Sequence, residues 1–119
     1  MSNTSRGLNG ERRVWRALED AGYLVASRRH IGGAGDLLAR AERWRVVEAD
    51  DGLPMIVETR RDDLLIEVKT DKAGPFATFS PADRKALLET ADEYGCESLL
   101  AWTPSASMIF YIPEDEWPS

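Results

Sequence analysis

The sequence predicts a mixed β-sheet flanked by helices, an α/β sandwich built as one domain. Three observations lead there. Two segments with helical apolar spacing, near residues 8–21 and 80–94, bracket a run of short apolar strands. A last pair of strand-like segments follows the second helix, so strands lie on both sides of it in the chain. A length of 119 residues supports one core and not two.

Between Leu8 and Ala21 the apolar residues Leu8, Val14, Trp15, Leu18 and Ala21 fall on one helical stripe, and Gly22 supplies a stop. Glu11 shares that stripe, whereas Arg12, Arg13 and Arg16 fall beside it or on the outer face. Tyr23–Ser27 reads as a strand leading into the basic Arg28-Arg29-His30. Gly32, Gly33 and Gly35 mark a turn or loop, because glycine at that density weakens any regular element. Leu37–Ala39 is the next strand, extended by Trp44–Val47, and Met55–Thr59 returns after the turn signal Asp50-Asp51-Gly52. A second turn at Arg61-Asp62-Asp63 leads into the strand Leu64–Lys69. Ala73–Phe79 reads as an irregular loop that exposes Phe76 and Phe79. Ser80, Pro81 and Asp83 give the second helix a cap, a first-turn proline and an acid near its positive end; Gly95 stops it. Ser98–Trp102 and Met108–Ile112 then form an antiparallel pair around a turn at Pro104-Ser105.

Charge is distributed unevenly. The net charge is −6, yet residues 1–45 carry nine arginines against five acids, and residues 46–119 carry six cations against sixteen acids. One basic sector inside an acidic protein leaves a nucleic-acid partner open. Only three of the fifteen cations are lysine, a composition suited to a halophilic, salt-rich cytoplasm. No signal peptide or long apolar run marks a membrane, so the expected location is cytoplasmic. The single cysteine, Cys96, excludes an intrachain disulfide and a cysteine-cluster metal site, and reads as a small packing residue.

The chemistry concentrates in Leu64–Lys69. Side chains alternate along a strand, so Leu64, Ile66 and Val68 point one way and Leu65, Glu67 and Lys69 the other. An acid and a lysine side by side on an otherwise apolar strand need a partner, a metal, water or a task. Gly35-Asp36 offers a second carboxylate at a strand start. Phosphodiester hydrolysis wants a divalent metal, carboxylates to hold it and a cation near the developing charge. Asp36 and Glu67 are the candidate ligands, with the Val68 carbonyl between the two functional side chains as a third. Lys69 can orient the attacking water or stabilise the phosphorus. Glu11 can reach the same metal directly or through water. Each feature has a plain structural alternative, an ion pair or a turn; the ordered set is what points to a nuclease.

With Arg6-Gly7 through Glu11-Arg12, then Gly35-Asp36, then Glu67-Val68-Lys69, the chain resembles the archaeal Holliday-junction resolvases of the PD-(D/E)xK nuclease superfamily. The resemblance spans nearly the whole chain, and it implies a restriction-endonuclease-like fold. It further implies a homodimeric, magnesium-dependent endonuclease, with manganese as a substitute, that recognises branched DNA by shape and nicks a four-way junction symmetrically. Carried over by motif, Glu11, Asp36, Glu67 and Lys69 would be catalytic. Arg12 and Arg28 or Arg29 would contact phosphate, together with Arg6 and the dense Arg13 and Arg16 of the same helix. Phe76 and Phe79 would serve the dimer interface or the junction. The stretch between Asp36 and Glu67 is longer than usual in that family, by about the length of an inserted hairpin at residues 44–62. Gly35 stands where the superfamily motif has proline. His30 reads as a phosphate contact or an exposed residue. Two other readings stay open: a restriction- or repair-like nuclease of the same superfamily, and a DNA-binding module of this fold without cleavage.

Overall fold

A computed structural model of the chain describes residues 3–28 and 33–118. The elements run α1 (Asn3–Asp20), β1 (Leu24–Ser27), β2 (Leu37–Glu48), β3 (Pro54–Lys69), α2 (Pro81–Tyr94), β4 (Glu97–Ser105), β5 (Met108–Pro113) and a short 3-10 turn, Glu114–Glu116. The five strands form one sheet in sequence order. β3 and β4 pair in parallel, joined by the α2 crossover such a pair requires, and the other neighbours are antiparallel. This is the expected mixed sheet flanked by helices.

The alternation along Leu64–Lys69 sorts the core into two layers. Ile66 packs with Val14, Leu18, Leu37, Ala39 and Ala101 under α1. Leu65, on the other face, packs with Phe79, Leu87, Ala91 and Leu100 under α2. α1 approaches closely at Gly10, where a Cβ would lie 2.6 Å from the Thr70 methyl. α2 is capped as the sequence indicates: the Ser80 hydroxyl accepts from the Asp83 amide at 3.1 Å, and Gly95 closes the helix at φ 69°.

Two expected turns are not turns. Arg61-Asp62-Asp63 belongs to β3, with Asp63 opposite Arg40 in an unbroken ladder. The local Asp-Asp signal yields because β2 offers every one of these residues a backbone partner, and Arg40 Nε reaches Asp63 Oδ1 at 3.0 Å. β2 and β3 therefore make one long hairpin, whose single irregularity lies between Arg43 and Trp44, with Thr59 unpaired opposite. That arm stretches the molecule to 61 × 28 × 27 Å. Pro104-Ser105 likewise sits inside β4, at a register shift where proline's missing amide leaves no ladder bond unmade, and the reversal falls at Ala106-Ser107.

Candidate active site

The carboxyl ends of parallel strands are where open α/β sheets gather ligands. Glu67 and Lys69 lie at that end of β3, and the chain returns to them through Gly35-Asp36. Gly35 adopts φ 97°, and a Cβ there would come 2.6 Å from a Leu65 methyl. Proline, fixed near −65°, cannot take this backbone. Glycine, where the motif expected from the sequence has proline, is what the local chain path requires.

The Asp36 amide donates to the Ile66 carbonyl at 2.8 Å, and the Arg28 amide donates to the Asp36 carbonyl at 2.9 Å. The carboxylate is fixed as well: Oδ2 accepts from the Val68 amide at 2.7 Å. In a strand the N–H and C=O of one residue face the same edge. The Val68 carbonyl therefore looks toward Asp36, past the start of β2. Lys69 Nζ lies 3.7 Å from Glu67 Oε1 and 5.8 Å from the Phe79 ring centre.

Burial, and next the negative charge of Asp36, raise the Glu67 carboxyl to about 7 against the opposing pull of Lys69. Glu67 also shares a side-chain hydrogen bond with Asp36 and accepts one from the Gly35 amide. Two carboxyls this close cannot both ionise cheaply without a cation. The donor set, two carboxylates with a carbonyl facing them, suits a hard divalent ion that keeps several waters. The cleft over Asp36 and Glu67 has a volume of about 260 Å³ and is walled from α2 by Asp83 and Ala86. Asp83 was anticipated only as a helix-start acid; its place in this wall needs the α2 packing to be seen.

Asp36, Glu67 and Lys69 thus come together, and Glu11 stands apart. It lines a separate cleft of about 190 Å³ with Arg12, Trp15, Ser27 and Leu37. The reason is the layering: α1 covers the Ile66 face, whereas Glu67 projects from the opposite one. Among the described residues, no cluster of three or more His, Cys, Asp or Glu side chains is assembled.

The expected DNA contacts divide. Arg12 is exposed on α1, and Arg13 donates to the Ser105 carbonyl at the β4–β5 turn. Arg28 is only 4% exposed, with its guanidinium 4.9 Å from the Tyr94 ring centre, so it is packed inside rather than displayed to a phosphate. Arg29, His30 and the Arg6 side chain lie outside the described residues. Phe79 is 0% exposed and meets Trp117 edge-on at 5.3 Å; it is core, because the loop folds back under α2. Phe76 is half-buried beneath the Arg84 guanidinium.

Among solved structures, the chain is similar to Hjc, a Holliday junction resolvase from the archaeal hyperthermophile Archaeoglobus fulgidus. The TM-score is 0.64 at 21% identity, over 91% of this chain and 72% of that one. The two share a fold. No family model and no curated protein matches the sequence. None of the described helices is long and apolar enough to cross a membrane.

Proposed function

We propose that this chain is a single-domain, magnesium-dependent, structure-selective DNA endonuclease that resolves four-way junctions by paired symmetric nicks. The observation that carries the reading is the Asp36–Glu67 carboxyl pair, hydrogen-bonded in a partly buried cleft with Lys69 3.7 Å from Glu67. The shared fold with an archaeal Holliday junction resolvase supports it.

Asp36, Glu67 and the Val68 carbonyl would hold the magnesium, with manganese as a substitute. When bound, the ion supplies phosphate polarisation and a more acidic water. The chain's own contribution is positional and electrostatic. The Val68 amide holds the Asp36 carboxylate in place, and Glu67 would hold the ion as a carboxylate. Lys69 orients the attacking water or steadies the charge that builds on phosphorus. Glu11 would act only through water, from the separate cleft under α1 whose Leu37 wall follows Asp36 in the chain, and exposed Arg12 anchors a backbone phosphate. A homodimer suits a substrate with two-fold symmetry, since it sets two sites on opposing strands. Val46 and Ile56, cross-strand partners on one face of the β2–β3 arm, are exposed and give a second copy an apolar patch to cover. The acidic, arginine-rich composition suits work in a salt-rich cytoplasm.

The test is cleavage of a labelled immobile four-way junction beside matched linear duplex, with magnesium or EDTA, in molar salt. Paired nicks on the junction alone, lost in Glu67→Ala, are the expected result. Equal cutting of duplex would indicate a restriction- or repair-like nuclease. A folded dimer that binds DNA and cuts neither would be a binding module.

A further inference from the structure

Register across the sheet places an aromatic pair beside the candidate catalytic lysine. Lys69 of β3 is the parallel partner of Trp102 of β4, which in turn is the antiparallel partner of Phe110 of β5. Directly opposed residues share a face. This is the face of Leu65, Leu100 and Ile112, the one from which Glu67 projects. α2 covers it at Leu87 and Ala91, and Phe110 remains 41% exposed.

The pair is pre-shaped. The two ring centres are 5.3 Å apart with planes tilted by 32°. The indole N–H donates to the Asp71 carbonyl at 2.7 Å, which pins the Trp102 ring and satisfies its one polar atom. Strands are spaced by about 4.8 Å, so Trp102 lies one spacing and Phe110 two spacings from the strand that carries Lys69. A cation at one end and fixed aromatic faces beyond it match a nucleotide, with phosphate at Lys69 and base over the rings.

We propose that Trp102 and Phe110 form a stacking platform for an unpaired nucleobase of the DNA strand being cut, immediately flanking the scissile phosphate. The proposal rests on the nuclease reading and adds a substrate feature to it: the strand is gripped where a base has left its duplex stack. Base–aromatic stacking tolerates any sequence, since every base has a π-face. The platform thus selects for strand distortion rather than for a motif.

The experiment uses the full chain and a four-way junction carrying 2-aminopurine at each nucleotide flanking the mapped nick, bound in EDTA. With wild type, emission at one flanking position should be quenched on binding. Phe110→Ala should lose that quench and bind the junction about tenfold more weakly. Phe110→Tyr should retain both. Mass and melting temperature of all three should agree. A quench and affinity unchanged in Phe110→Ala, from a wild type that still cuts junctions, would overturn the platform and leave the nuclease intact. So would a Phe110→Ala protein whose dimer dissociates while the quench persists, since the face would then belong to a second copy. A wild type that binds no DNA would overturn both readings.

Discussion

One strand, β3, runs through two very different environments. Its second half, Leu64–Lys69, has β2 on one edge, β4 on the other and a helix layer on each face, and Leu65 and Ile66 have no exposed surface. Its first half pairs with β2 alone, and Ile56 is 68% exposed. Each half carries an ion pair. Arg40–Asp63, toward the arm, is the shorter at 3.0 Å, and Lys69–Glu67 spans 3.7 Å. Distance nonetheless misranks them. At 4 Å two unit charges interact by about 1 kcal/mol in water and about 4 kcal/mol at an effective dielectric of about 20. The longer contact is the one in the cleft, where burial and the Asp36 charge raise the Glu67 carboxyl to about 7. Location along the same strand, more than the contact itself, separates chemistry from scaffolding.

The largest test of that contrast is catalytic. Lys69→Ala should lower single-turnover cleavage at least about a thousandfold, equivalent to about 4 kcal/mol of barrier, while junction affinity stays near wild type. Loss of binding instead would make Lys69 a structural residue. Asp63→Ala, on the same face nearer the arm, should leave the rate within about twofold.

Next in size are two glycines of positive φ, one in each region. Gly35→Ala adds a methyl at 2.6 Å from Leu65 as well as backbone strain, and should cost about 3 kcal/mol in urea unfolding. Gly52→Ala has φ 81° but only the Glu48 carboxylate at 3.7 Å, so strain alone should cost about 1 kcal/mol. Equal losses would erase the distinction between a packed turn and an open one.

The pH dependence should lie between those two. Below the ordinary value of 4.5 Glu67 is protonated folded or unfolded, and between 4.5 and about 7 only the folded form holds the proton. The folded state therefore binds more protons there, and its stability falls as pH rises through that window. Without divalent metal, wild type should lose about 2 kcal/mol relative to Glu67→Gln between pH 5 and 7.5. Parallel stability curves for the two proteins would contradict the assigned protonation. The smallest effect belongs to the arm: Asp63→Asn should cost under about 1 kcal/mol, and less at high salt.

Much of this could be read from the chain before any coordinates. Strand alternation alone puts Glu67 and Lys69 on one face, and cap chemistry alone sets α2 between Ser80 and Gly95. What the sequence hides depends on partners distant along the chain. Phe79 looks exposed in a Gly-Pro loop, but Trp117 and Leu87 come from elsewhere to bury it. Arg28 looks like a phosphate contact until Tyr94 of α2 is seen beneath it. Glu11 lies on the inward stripe of its helix as expected, but periodicity cannot say which side of the sheet that helix covers. Trp102 and Phe110 gain meaning only from register, which no local pattern encodes.

The irregularity between Arg43 and Trp44 has a consequence for how this protein can change over generations. A one-residue slip in an antiparallel ladder turns every side chain to the opposite face. In the Leu64–Lys69 half such a slip would bury Glu67 and Lys69 against α1 and put Val68 in the cleft. The bulge isolates that hazard: it marks where the pairing already changes step, with one residue in excess. Beyond it the hairpin can gain or shed residues in cross-strand pairs, and the register of the Leu64–Lys69 half stays the same. The length of the arm is thus the one dimension of this sheet that can change without turning Glu67 and Lys69 to the other face.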